Sequence, residues 1–118
     1  MKILSVSDVV RPILFQHSDD DRFADVDLII SCGDLPTEYL SRLTHSFNAP
    51  LYYVRGNHDI RYDDKSPESC RDLHGMLVKH NGLNILGLEG SRWYNGGPYQ
   101  YEEWQMRAIL RRLRPTLW

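Results

Sequence analysis

The sequence predicts an α/β fold: a βαβαβ unit with parallel strands, followed by a β-hairpin and a C-terminal helix. Three observations carry that prediction. Apolar, β-rich runs recur at residues 3–7, 28–32 and 51–54 and read as short strands buried on both faces. Between the second and third runs, Leu40, Leu43 and Phe47 recur at helical spacing. Farther on, Asn81-Gly82 separates two more apolar runs, and that dipeptide favours the positive backbone angles of a tight hairpin turn.

The first strand is Ile3-Leu4-Ser5-Val6-Ser7. Pro12 interrupts the segment after it, and Asp19-Asp20-Asp21 reads as a solvated helix start leading into Arg22-Phe23-Ala24. After the second strand, Pro36 suits the first turn of a helix running to Phe47. The third strand is followed, from Arg61 to Pro67, by a polar surface loop able to flank an active site. The hairpin joins residues 76–80 to residues 83–88, and residues 90–99 form a Gly/Pro/aromatic loop. From about Glu102 a helix places Met106, Ile109, Leu110 and Leu113 on one face and is expected to stop at Pro115. Arg107, Arg111, Arg112 and Arg114 fall mostly on the opposite side and read as a solvated face.

With 118 residues, 42% hydrophobic and 25% charged, the chain suits one small globular domain over residues 1–118. Its 14 basic and 16 acidic residues leave a net charge of -2, which offers no general electrostatic reason to bind nucleic acid or an anionic membrane. Cys32 and Cys70 are too few and too far apart for a disulfide framework or a zinc knuckle and fit a reducing compartment. No apolar stretch is long enough for a signal-peptide core or a spanning helix, so a cytoplasmic location is expected.

The chemistry lies where the strands end. Ser7-Asp8, Cys32-Gly33-Asp34 and Arg55-Gly56-Asn57-His58-Asp59 each come at the end of one of the three predicted strands. Ligands of open α/β sheets bind outside the carboxyl ends of the strands, so neighbouring strands would deliver these residues to one edge. Carboxylates can bridge two cations, and a two-metal site can clamp the attacking and leaving oxygens of a phosphoryl group; Asp34 is the natural bridge. Gly33 and Gly56 would allow close backbone approach. Taken singly, each residue has a plainer reading. Asp8 could cap a turn, Asp34 could open a helix, Asn57 could serve a turn, and His58-Asp59 could be a surface pair. Their shared position favours a site. Cys32 reads as a small buried strand residue, and His17, His45, His74 and His80 as surface or loop residues.

These motifs resemble those of the calcineurin-like metallophosphoesterases, whose N-terminal signatures are Asp-x-His, Gly-Asp and Gly-Asn-His-Asp/Glu. Gly56-Asn57-His58-Asp59 is the most specific match. Cys32-Gly33-Asp34-Leu35-Pro36 and Val54 to Asp59 are similar to a prokaryotic branch of the family, and the likeness continues through Ile85-Leu86-Gly87-Leu88 to the region from Tyr94 to Tyr101.

The resemblance implies the N-terminal part of an αββα sandwich and hydrolysis of phosphomonoesters or phosphodiesters with two divalent ions of the Mn, Fe, Zn or Ni type. It implies that Asp8 ligates the first metal, Asp34 bridges both, and Asn57 ligates the second through its amide oxygen. His58 is expected to contact the scissile phosphate and serve the leaving oxygen, with Asp59 orienting its ring and a cation-activated water as nucleophile. Two departures stand out. Val10 occupies the place of the first motif's histidine, and no histidine follows His80, whereas the family supplies later ones. The chain is therefore expected to carry half of the site. Its implied partners are a phosphate-ester substrate and either a second copy or a complementing C-terminal half. The alternative is an inactive binding module or a gene fragment.

Overall fold

Four short parallel strands form the main sheet, with spatial order β1-β2-β3-β4: β1 (Ile3–Val6), β2 (Leu28–Ser31), β3 (Leu51–Tyr53) and β4 (Cys70–Asp72). The computed structural model describes residues 1–15, 21–63 and 65–117, without the side chains of residues 61, 63 and 114–117. Parallel pairing requires crossovers, and that between β2 and β3 is the α-helix α1 (Thr37–Phe47). Pro36 sits just outside α1 as its N-cap instead of in its first turn. Tyr39, Leu40 and Leu43 bury one face of α1 against Ile29, Leu51 and Tyr53, forming the core with Leu14, Leu35 and Tyr62. Leu40 and Leu43 have no exposed surface, and burial of that kind stabilises by about 1.5–3 kcal/mol per leucine.

The first crossover differs from expectation. Its described residues form two 3-10 turns, Pro12–Phe15 and Asp21–Phe23; Asp19 and Asp20, and with them most of the predicted helix start, lie outside the described residues. β4 was not legible because Cys-Arg-Asp carries no apolar run; it joins the sheet through backbone pairing with β3. β1 is an edge strand with alternating exposure, and Ile3 is 43% exposed, so it is not buried on both faces.

The hairpin β5 (Met76–His80) and β6 (Leu83–Gly87) turns at Asn81 and Gly82, which take φ of 48° and 82°. It lies by the sheet face opposite α1, where Ile30, Tyr52 and Val54 share a cavity with Ile85 and Leu86. Within the predicted aromatic loop, β7 (Ser91–Arg92) pairs in parallel with β8 (Gln100–Tyr101). The last helix, α2 (Glu103–Leu117), lies against β5 with Ile109 and Leu113 buried. Leu110, expected on the same face, is 38% exposed. α2 also continues past Pro115: a missing N–H this near the end removes one hydrogen bond from the final turn only. Among the described residues no helix is long and apolar enough to cross a membrane.

Candidate metal centre at the strand ends

Main-chain contacts bring the three motifs together before any side chain is considered. Asp8 N donates to Gly33 O at 3.1 Å, Cys32 N to Val6 O at 2.9 Å, and Val54 N to Ser31 O at 3.0 Å. The segments leaving β1, β2 and β3 therefore run side by side.

Asp8 is the apex of a three-residue turn, with Val9 N donating to Ser7 O at 2.7 Å and φ of 65° at Asp8 itself. A γ-turn of that hand is rare and strained. Asp34 also has positive φ, 62°. Aspartate tolerates this region better than most residues, yet each instance costs on the order of 1–3 kcal/mol and persists only where the surroundings enforce it. Asp8 and Asp34 are carboxylates at one edge of one sheet; Asp25, Asn48, Ser69, Asn81 and Tyr99 take positive φ elsewhere.

The surroundings that hold Asp34 come from the loop after β3. Asp34 N donates to Asp59 Oδ2 at 2.6 Å, and Asp34 Oδ1 accepts His58 N at 3.0 Å. Asp59 has no exposed surface, and its Oδ2 also accepts Gly56 N at 2.8 Å. Asp59 thus ties two loops together, a role its place in the sequence did not reveal. The glycines permit this closeness. A Cβ on Gly56 would lie 2.2 Å from Asp34 Oδ1, and one on Gly33 would lie 2.4 Å from Gly56 N.

Asn57 Nδ2 donates to the Tyr94 hydroxyl at 2.8 Å and lies 3.4 Å from His58 Nε2. These contacts engage the nitrogen end of the amide. His58 is exposed. Asp34, Asn57, His58 and Asp59 are thus linked by side-chain contacts, whereas Asp8 joins them through its main chain.

The donor set of two carboxylates and an amide oxygen suits an oxygen-preferring divalent cation whose shell water completes. Among the described residues, no group of three His, Cys, Asp or Glu side chains is placed to hold a metal ion. Asp8, Asp34 and Asn57 offer three oxygen donors from neighbouring segments, which would suit a sparsely liganded centre and would not furnish two closed shells. Val10, at the position of the missing histidine, is 43% exposed.

A second cluster braces this edge and was missed in the sequence. Glu89, 4% exposed, accepts Arg55 Nε at 2.8 Å and Nη2 at 2.7 Å, and its other oxygen accepts the Tyr101 hydroxyl at 2.5 Å. Arg55 also stacks over Tyr99 at 4.5 Å, and its carbonyl accepts Gly90 N at 2.7 Å. Burial opposes the Arg55 charge, but the bond and charge of Glu89 outweigh it and raise the pKa. His74 Nδ1 accepts Glu89 N at 3.0 Å, which puts the ring proton on Nε2, 3.7 Å from Glu89 Oε1. His74 is therefore a structural part of this network and not a loop histidine. His80 packs edge-on to Tyr52 at 6.1 Å and is half-buried, while His45 is exposed as expected and His17 lies outside the described residues. Cys32 is exposed, because it lies one residue beyond β2 where the sheet edge is open. The signal for the network was a lone acid, Glu89, closing the apolar run 85–88, and a lone base, Arg55, between Val54 and Gly56.

A comparison with curated protein sequences finds no match. A family model described as the calcineurin-like phosphoesterase superfamily domain matches residues 1–106, a span that includes all three motifs and the Glu89 network. That match and the strand-end convergence agree: the chain belongs to the calcineurin-like phosphoesterase superfamily, a family of metal-dependent phosphoesterases.

Proposed function

We propose that the chain is a phosphoesterase whose reaction centre is the strand-end cluster, with Asp8 and Asp34 giving carboxylate oxygens and Asn57 an amide oxygen to two divalent cations. Asp34 is the shared ligand in this reading. When bound, the cations supply positive charge for the phosphate oxygens and a lowered pKa for water. His58, exposed beside Asn57, hydrogen-bonds the phosphate and passes a proton to the leaving oxygen. Asp59 is a positioning residue that keeps the Asp34 and Gly56 segments in register. The observation that carries the reading is Asp34 fastened on both its amide and its carboxylate to the loop bearing Asn57 and His58.

The test is hydrolysis of bis(p-nitrophenyl) phosphate and p-nitrophenyl phosphate by the purified chain with Mn²⁺, Ni²⁺ or Zn²⁺. Turnover is expected, with Asp34→Asn and His58→Ala each lowering it by at least about a hundredfold. Turnover that survives Asp34→Asn would sink the proposal. A second reading, a cation-binding module without catalysis, is favoured by Val10 and by the lack of a three-ligand group among the described residues. It is distinguished by calorimetric Mn²⁺ binding with no turnover of either ester.

A further inference from the structure

Beside Asn57 the surface opens into a cleft lined by Ser91, Arg92, Trp93 and Tyr94. A second cleft shares Ser91, Arg92 and Trp93 and continues to Glu102, Glu103 and Met106. Trp93 stands where the two meet, 49% exposed, and Tyr94 is 57% exposed. Trp93 and Tyr94 are adjacent, so together they form an exposed aromatic patch beside Asn57.

The segment that presents them is braced from within. Trp93 N donates to Tyr101 O at 2.9 Å, and Gln100 Oε1 accepts both Tyr94 N and Asn95 N at 3.1 Å. Asn95 Oδ1 in turn accepts Gly97 N at 3.0 Å and Gln100 Nε2 at 2.6 Å. Gly96 backs the indole: a Cβ there would lie 3.6 Å from Trp93 Cζ2. The indole thus has the Gly96 backbone as a neighbour and remains 49% exposed. A rigid aromatic held in place loses little entropy on binding a flat partner.

Charge selects among flat partners. Arg92 lines both clefts and, among the described residues, is the one charged side chain lining the cleft at Asn57, where a phosphate would sit. The far cleft adds Glu102, which accepts the Trp104 indole N–H, and Glu103, paired with Arg107 at 2.5 Å, so its lining carries two carboxylates against Arg92 and disfavours a further phosphate. A nucleic-acid strand would carry its next phosphate into those carboxylates. The two clefts that Trp93 lines are open to solvent and measure about 520 and 630 Å³, which admits a sugar and a fused ring.

We infer that Trp93 is a specificity residue that stacks the base of a mononucleoside phosphoester whose phosphate lies at the Asn57 end. The inference rests on the proposed phosphoesterase reading for where the phosphate sits, and its own content is the stacked base.

The experiment separates the two. Calorimetric binding of adenosine monophosphate and of glycerol phosphate is measured on the full chain with Mn²⁺, for wild type, Trp93→Ala and Trp93→Phe. The nucleotide should bind the wild type more tightly than glycerol phosphate, and Trp93→Ala should weaken it by about 5- to 100-fold, as loss of one base–aromatic stack does. Trp93→Phe should restore most of that loss, and glycerol phosphate should bind all three proteins alike. Nucleotide binding that is absent, indifferent to Trp93, or surpassed by a phosphotyrosyl peptide overturns the inference. Binding with the expected Trp93 dependence but without hydrolysis supports it while the catalytic proposal fails.

Discussion

Asp59 Oδ2 lies 2.6 Å from the backbone nitrogen of Asp34, so a side chain with no exposed surface fixes the main chain of a candidate metal ligand. The same oxygen holds Gly56 N at 2.8 Å. Asp59→Ala would leave both N–H groups without this acceptor, that of Gly56 in a buried position and that of Asp34 in a part-buried one. The expected cost is about 2–4 kcal/mol in urea denaturation, with Asp59→Asn, which keeps an acceptor oxygen, costing roughly half. Equal losses in the two variants would show that charge, not the tie between loops, is what matters.

Gly56→Ala tests the contact from the other side. Its Cβ would stand 2.2 Å from Asp34 Oδ1, and Gly56 carries no positive φ to add a backbone penalty of its own. The carboxylate must move. Mn²⁺ affinity by calorimetry should fall by about tenfold or more, while the unfolding midpoint changes by less than in Asp59→Ala. Undiminished Mn²⁺ binding would remove Asp34 from the ligand set.

How much of this was legible depends on where the information sits. The runs at β2 and β3 and the Asn81-Gly82 turn are local signals, and all three appear in the structure. The strand-end position of Asp8, Asp34 and Asn57 came from those strands together with the crossover rule. Local signals could not show that Asp59 faces inward to the Asp34 amide, because that contact spans 25 residues. Nor could they show that Glu89 reaches Arg55 across 34 residues, or that Tyr94 reaches Asn57 across 37. β4 escaped for a different reason: it is held by its backbone, and its side chains carry no alternation to read.

Alkaline pH should weaken the fold through two groups outside the candidate ligand set. Burial pushes the Cys70 thiol from its ordinary 9.0 up to about 11. Burial, and then the hydrogen bond and charge of Glu89, raise the Tyr101 phenol above its ordinary 10.0. In both cases the folded state favours the neutral form, so the unfolded chain ionises first. The stability these groups carry is full below their ordinary values and falls as pH rises, from 9.0 to about 11 for Cys70 and from 10.0 upward for Tyr101. Urea midpoints measured across that range should decline, and Cys70→Ser should flatten the earlier part of the decline. A midpoint constant through the range would contradict the burial of both groups.

Val10→His addresses the departure from the family pattern directly. Asp8 is held by Gly33 O at 3.1 Å and by the tight turn from Ser7 O to Val9 N at 2.7 Å, so the residue two places on starts from a fixed point at the sheet edge. Val10 is 43% exposed, and a larger polar ring there displaces no core packing. An imidazole adds nitrogen to an oxygen-only donor set, and nitrogen shifts preference toward later transition metals. Zn²⁺ and Ni²⁺ affinity should therefore rise by at least about tenfold while Mg²⁺ affinity stays nearly unchanged, both read by calorimetry at neutral pH. Turnover of bis(p-nitrophenyl) phosphate should rise with Ni²⁺ if the sparse shell is what limits the centre. A gain in Zn²⁺ affinity that persists in the Val10→His, Asp34→Asn double variant would mean that the new histidine binds metal elsewhere. Loss of the gain on removing Asp34 would place both residues on one cation, and that coupling is what a shared centre at the ends of β1 and β2 requires.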